Sequence, residues 1–237
     1  MKTKALIFLL PGIVFNCCKE DDDDRIPDEN YNPVIAPANF SDEITNPYFP
    51  MVPGSVLSYR ANTDEGVEDV VITVLSEKKT VAGVECSIVR DVVSLNGQVI
   101  EDTYDWFAQD LQGNVWYFGE DVSNYENGVL QDKEGSFEAG VDNAKPGIIM
   151  LAFPVLELPY RQEYSFGVAE DWGKVVAVNQ SVTTPAGTFS ECIKTADWNA
   201  LEPDAPLEYK YYAPDIGMVK EEVDGTDEVL ELISIEN

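Results

Sequence analysis

The chain has 237 residues, 44 of them acidic and 15 basic, which gives a formal charge of −29, and it contains no histidine. Without histidine, Ser-His-Asp and Cys-His nucleophile systems are excluded in their usual forms, as are His-based zinc, copper and iron sites. The acidic surface repels phosphate backbones, so no nucleic acid is expected as a partner. A hydrophobic fraction of 44% and an aromatic fraction of 11% are those of a folded domain with its own core.

Met1–Lys4 carries two lysines, Ala5–Val14 is an apolar run broken by Pro11 and Gly12, and Phe15-Asn16-Cys17-Cys18 follows. A basic start, a short apolar stretch and a cleavage region make a secretory signal. The run is too short to span a bilayer as a helix. Next come Lys19, Glu20 and Asp21 to Asp24. Consecutive carboxylates repel one another and stay solvated. With Pro27, Pro33 and Pro37, they read as an extended spacer.

Cys17-Cys18-Lys19 and the acidic run resemble lipoprotein signals of the Bacteroidetes type. The resemblance implies a lipid-bearing cysteine at Cys18 or Cys17. Cys18 has the small Cys17 before it, whereas Val14-Phe15-Asn16 lacks small residues, which favours Cys18. It also implies an outer-membrane lipoprotein, periplasmic or surface-exposed, with the membrane as a partner through the lipid. The expected organisation is a signal peptide over 1–17, an acidic flexible tether over 18–39 and one β-rich globular domain over 40–237.

From Phe40 onward the chain reads as strands and turns. Val56–Arg60, Asp69–Leu75, Val84–Ser94, Gln98–Ala108 and Val115–Val122 are rich in β-branched and aromatic residues. Asn96-Gly97 is the best hairpin turn, because both positions tolerate positive φ; Asn127-Gly128 and Asp224-Gly225 are further candidates. Tyr160–Phe166, Trp172–Asn179, Thr188–Trp198, Leu207–Ala213, Met218–Val223 and Asp227–Ile235 continue the pattern. No window has helical periodicity with caps. The fold class expected is all-β: an antiparallel meander forming a curved half-barrel, barrel or sandwich. Ile148–Phe153, bracketed by Pro146 and Pro154, breaks the rhythm. It reads as core filling, either a buried strand or a loop or short helix plugging one side of the sheet, with a binding surface as the alternative if it is exposed. Cys86 and Cys192 lie in separate strand patterns and either pair or serve as small buried hydrophobes.

Four stretches, Asn46–Gly54, Asp105–Glu120, Thr184–Phe189 and Tyr209–Pro214, resemble a group of exported bacterial β domains of unknown function. In these, Phe-Pro-x-x-Pro-Gly precedes the first strand and Pro-Ala-Gly-Thr-Phe is a turn entering a strand. The domain is more loosely similar to half-barrels of the LolA/LolB type, which hold acyl chains. No activity is carried over to this chain from the resemblance.

Among candidate sites, Asp105–Asp121 is the most suggestive. It places Trp106, Trp116 and Tyr117 near Asp105, Asp110 and Glu120. In a hairpin, Asp105–Ala108 would lie across from Val115–Phe118, and Trp106 would face away from Asp105 and Phe107. One face would then be a sugar-stacking platform, or else ordinary cross-strand aromatic packing. Asp105, Asp110, Glu120, Glu163, Glu170 and Asp171 include possible carboxylate pairs for glycoside hydrolysis. Asp121–Gly128 and Asp110–Asn114 are loops rich in oxygen ligands for calcium, without EF-hand spacing, and the metal question stays open. Tyr209 and Tyr211 share one strand face, Lys210 and Tyr212 the other. No catalytic residue and no cofactor is indicated. The function expected is a lipid-anchored, non-enzymatic binding or accessory module for a glycan, an acyl chain or a protein partner. The alternatives are a carboxylate-dependent glycoside hydrolase and a structural calcium-binding envelope protein.

Overall fold

A computed structural model describes residues 30–236. The signal segment, Cys17, Cys18 and the acidic run lie outside the described residues. A single turn of 3-10 helix, Pro37–Asn39, precedes the first strand, and among the described residues there is no α-helix. The strands are β1 (Phe40–Ser41), β2 (Val56–Thr63), β3 (Gly66–Val81), β4 (Val84–Leu95), β5 (Gln98–Asp110) and β6 (Val115–Glu126). Then come β7 (Val129–Asp132), β8 (Phe137–Glu138), β9 (Lys145–Met150), β10 (Tyr160–Arg161) and β11 (Glu163–Tyr164). The chain ends with β12 (Asp171–Thr184), β13 (Gly187–Asn199), β14 (Glu208–Ala213), β15 (Gly217–Val223) and β16 (Val229–Glu236).

Their order in the sheet is β10-β12-β13-β14-β15-β16-β2-β3-β4-β5-β6-β9-β11. Two antiparallel meanders, β2–β6 and β12–β16, are thus joined where the last long strand meets the first, with Leu230 opposite Ala61. The two ends of the sheet, β10 and β11, are neighbours in sequence, separated by Gln162 alone. β10 pairs with β12 and β11 with β9, so the chain itself bridges the seam and nearly closes a barrel. The Gln162 N–H donates to the Asp171 carbonyl at 2.8 Å. Gly147 and Gly173 make room for this crossing. A Cβ on Gly147 would sit 2.3 Å from the Gln162 carbonyl carbon, and one on Gly173 would sit 2.6 Å from Gln162 Nε2.

Local chemistry explains the hairpins. Asn96-Gly97 (φ 51° and 78°) and Asn127-Gly128 (φ 52° and 75°) are both left-handed, as a two-residue turn matched to strand twist requires. At Asp224-Gly225 only the glycine has positive φ, at 75°, so that expected two-residue turn takes another form. Ala82-Gly83 makes a further tight turn, with Val81 opposite Val84 and Ala82 held at φ 48°. Asp121–Glu126, expected as an oxygen-rich loop, is strand β6. Its side chains alternate between faces, so its oxygens do not converge on one ion.

Strand alternation sorts the apolar residues into two cores. Inside the barrel, Tyr59, Val70, Phe107, Val115, Met150 and Leu232 belong to one large buried cluster. Outside it, Trp106, Phe118, Val81, Val84 and Cys86 form a second cluster, capped by Ile35 and Phe40. Phe40 meets Trp116 and Phe118 edge-on, with ring centroids 6.2 and 5.4 Å apart. Within the stretch expected as a tether, Tyr31 therefore has company in touching the domain: its ring lies 6.0 Å from that of Tyr164. Cys86 and Cys192 are both free and buried, one in each cluster, and do not pair. The proline-bracketed run divides in two. Lys145–Met150 is the strand β9, with Ile149 and Met150 in the core, whereas Phe153, Leu156 and Leu158 are exposed.

Candidate functional site

The barrel interior opens at one end into a cavity of about 120 Å³. Its mouth is built by the loop Pro50–Val52 together with Ser55 and Asp215, which are exposed or half-buried. Leu57, Ile72, Val74, Val89, Ile216 and Met218 form its walls. Its floor is polar: Tyr59, Asp91, Asp105, Lys210 and Tyr212 line it, and all five are buried. The size is comparable to the ~150 Å³ apolar cavity that admits a benzene molecule. A longer chain would leave through the mouth.

The mouth loop is held from below. Gln109 Oε1 accepts the N–H groups of Thr45 and Asn46, each at 2.8 Å. Asn46 Nδ2 donates to the carbonyls of Gly113 at 3.0 Å and Leu151 at 3.1 Å. The Asp215 N–H donates to the Pro47 carbonyl at 2.7 Å, which ties the loop to the β14–β15 turn. Phe49 then packs edge-on against Phe107, centroids 5.2 Å apart. Asn46, though polar, is thus buried with its amide satisfied, and it fixes where the apolar residues after it stand.

The floor is one side of a larger acidic interior. Glu68, Asp91, Glu101, Asp105, Glu120 and Glu163 are buried, as are Asp197, Glu208 and Glu221. Buried beside them are the cations Lys210 and Arg161. Lys210 Nζ lies 3.4 Å from Asp197 and 3.3 Å from Glu208. Burial alone would depress the Lys210 ammonium, but Glu208, Asp197 and Glu221 outweigh it and hold it charged. The acids move the other way. Burial pushes Asp105 up to about 7 against the opposing hydrogen bond from Tyr117. Burial, with the charge of Glu163 next, holds Glu120 well above the carboxylate range. Burial and then Glu208 raise Asp171 to about 8. Asp91 is raised by burial and by Asp105, Glu101 and Glu68. Its Oδ1 has no hydrogen-bond partner.

The expected aromatic–acidic platform is divided between two faces. Asp105 and Glu120 face each other across the β5–β6 ladder inside the barrel, joined by Tyr117, whose hydroxyl donates to Asp105. Trp106 is on the outer face, with Lys79 Nζ 3.1 Å from its ring centroid, and Trp116 packs against that outer cluster too. A bulge between Trp106 and Phe107 shifts the register, so Phe107 opposes Tyr117 and Ala108 opposes Trp116. Asp110 is consumed by its own turn: it accepts from the N–H groups of Gln112 and Asn114, from Asn114 Nδ2 and from Trp116 Nε1. Of the six residues, Asp105 alone lines the cavity.

Of the carboxylates considered for hydrolysis, Asp105, Glu120 and Glu163 are buried inside the barrel, and with Asp171 they are near enough to add to the effect of burial on one another. Glu120, Glu163, Glu170 and Asp171 do not line the cavity, and Glu170 accepts the Gly167 N–H at 2.9 Å. Among the described residues no three Asp, Glu or Cys side chains are grouped as a metal would need. Sequence reasoning missed Asp91 and the mouth loop as site elements. The signal for Asp91 was present: it is an acid at an inward position between Val89 and Val93 of a β-branched strand.

No protein-family model matches the chain, and no curated protein matches it. Two solved structures are similar to it. One, from Bacteroides fragilis NCTC 9343, is described as a "putative exported protein with YmcC-like fold"; it is 17% identical, covers 80% of this chain and 99% of its own, with a TM-score of 0.42. The other, a "putative lipoprotein" from Parabacteroides distasonis ATCC 8503, is 16% identical and covers 80% of this chain and 98% of its own, with a TM-score of 0.43.

Proposed function

We propose that this protein is a lipid-anchored envelope module whose barrel binds an apolar or amphiphilic ligand and catalyses no reaction. The cavity carries this reading. Its apolar walls lie behind a mouth loop that is pinned by Gln109, Asn46 and Asp215, so the opening is preformed. Preformed apolar pockets with a few convergent polar groups are the usual form of small-ligand sites. The basic and apolar N-terminus followed by Cys17-Cys18 and the acidic run supports attachment to the outer membrane through lipid on Cys18 or Cys17. An acyl chain fits the apolar walls better than a glycan does, because a sugar would leave most of its hydroxyls without partners there.

Two measurements test the proposal. Native mass spectrometry of the gently purified protein, followed by incubation with a total membrane-lipid extract, is expected to show an added lipid mass. A bare mass after incubation counts against a ligand-binding barrel. Replacing both Cys17 and Cys18 is expected to release the protein from the membrane fraction, and continued partitioning with membranes would refute the anchor.

A further inference from the structure

We infer that the cavity selects ligands whose buried end is a hydrogen-bond donor, so that a primary aliphatic amine or alcohol binds in preference to a carboxylate of the same chain. This rests on the reading of the cavity as a ligand site and adds the chemistry of the ligand's head.

The burial gradient fixes the direction of entry. Val52 at the mouth is 57% exposed, whereas Asp91, Asp105 and Lys210 on the floor are 6%, 1% and 6% exposed. An amphiphile therefore places its polar tip on the floor and its chain along Leu57, Val74 and Met218. Asp91 Oδ1 is buried, lines the cavity and has no hydrogen-bond partner. A buried acceptor left unpaired costs about as much as a lost hydrogen bond, so a donor arriving there is favoured twice, by the bond and by relief of the orphan.

Charge decides between donors and acids. Asp91 stands opposite Thr103 on β5 and Ile72 on β3, while the adjoining inward pair is Val89 and Asp105. The charged form of Asp91 is thus disfavoured first by burial and then by Asp105, Glu101, Glu68 and Asp102. The cation on the floor, Lys210, is held between Asp197 and Glu208, with Glu221 close by. A ligand carboxylate would compete with those acids for Lys210 and add one more negative charge beside Asp91 and Asp105. An ammonium would favour the charged form of Asp91, releasing the proton that burial keeps on its carboxyl, and a hydroxyl would satisfy Oδ1 without adding charge.

Titration calorimetry of the full chain at neutral pH with octylamine, 1-octanol and octanoate tests the inference. Octylamine is expected to bind at least ~10-fold more tightly than octanoate, with 1-octanol between them, as a charge-assisted hydrogen bond implies. In Asp91→Asn, octylamine is expected to weaken roughly tenfold and 1-octanol by less than about threefold. Octanoate binding as tightly as octylamine, or an unchanged octylamine affinity in Asp91→Asn, overturns the inference and leaves the cavity a ligand site governed by Lys210. Failure of all three compounds to bind removes the ligand site itself, and the selectivity with it. If Asp91→Asn does not fold, the order of the three ligands on the unaltered protein decides alone.

Discussion

Tyr117 Oη donates a 2.6 Å hydrogen bond to Asp105 Oδ1 across the β5–β6 ladder, inside the barrel, and this bond opposes the burial that drives the Asp105 carboxyl up to about 7. Tyr117→Phe removes the donor and little volume. Asp105 is expected to titrate higher, because the bond that favours its charged form is gone. A stability loss of ~1–3 kcal/mol is expected, as for a buried acceptor stripped of its partner, and it should be larger above neutral pH, where Asp105 would otherwise ionise. Carbon-detected NMR of the Asp105 carboxyl across pH 5–9 checks this. An unmoved titration midpoint in Tyr117→Phe would show that burial alone sets it.

The acidic interior gives stability an uncommon pH dependence. Asp105 and Glu208 rise from ordinary values of 3.8 and 4.5 to about 7, and Asp171 rises from 3.8 to about 8, in each case mainly through burial. The folded protein therefore holds protons that the unfolded chain releases. The stabilisation from these groups is complete below about pH 4 and is lost as pH rises through about 7 to 8. Glu222, held down by its bonds from Lys220 and Tyr211 despite burial, acts in the opposite sense and loses its contribution as pH falls. One such group does not offset several. The melting temperature is expected to be highest near pH 4 to 5 and to fall by at least ~5 °C towards pH 9, since ~1 kcal/mol moves a domain of this size by ~2–4 °C. A melting temperature that rises between pH 5 and pH 9 would contradict the assignment of the buried acids as proton carriers.

How far the sequence displays this molecule depends on which physical signal each feature uses. The strands announce themselves by β-branched alternation, and Asn96-Gly97 by residues that tolerate left-handed backbone. Strand parity places Lys210 and Tyr212 on one face, and both are buried on the floor. The platform at Asp105–Glu120 illustrates the limit. Parity separates Trp106 from Asp105, but it does not anticipate the bulge at Phe118-Gly119, where Gly119 at φ 133° is the residue that marks it. Asp110 looked like a ligand because acids in turns often are, yet its oxygens are taken by donors within six positions of it. The cavity is invisible in the sequence because Lys210, on β14, is far along the chain from Asp91 and Asp105 on the β4–β5 hairpin. Nor does periodicity reveal that β10 and β11 bound one seam, since each pairs for only two residues.

Ala82 offers a stabilising change. It occupies a left-handed conformation at φ 48° in the two-residue turn between β3 and β4, where Val81 faces Val84. An alanine there is strained by ~1–2 kcal/mol relative to glycine, because its Cβ crowds the carbonyl oxygen. Asparagine tolerates the conformation better than alanine and keeps the unfolded chain less free than glycine does. Ala82→Asn is expected to raise stability by ~0.5–1 kcal/mol, read from urea unfolding at constant m-value. Ala82→Gly should gain less, having more chain entropy to lose on folding. A destabilised Ala82→Asn would mean that the added carboxamide is crowded near Gly140, where a Cβ would lie 3.7 Å from that of Ala82, by more than the strain it relieves.

Gly147 controls whether the barrel stays closed. It faces Tyr117 on β6, and one residue before it Pro146 faces Glu163 on β11. A methyl group at 147 would fall 2.3 Å from the Gln162 carbonyl carbon and 2.5 Å from the Arg161 carbonyl oxygen, both backbone atoms of the seam. Flexible side chains swing away from such a contact, but backbone does not, so relief requires β9 and the β10–β11 crossing to separate. Separation breaks the short pairing of Pro146 with Glu163 and exposes the buried Glu163 carboxylate, whose oxygens have no hydrogen-bond partner in the closed barrel. Gly147→Ala is therefore expected to lose ~2–4 kcal/mol, in the range of strained backbone and overpacked cores. The loss should be local before it is global. Hydrogen exchange at Gln162, whose N–H is bonded to the Asp171 carbonyl, should accelerate far more than exchange within β3 and β4. Uniform acceleration across the sheet would instead mean that the seam is an integral part of one cooperative barrel and does not open by itself.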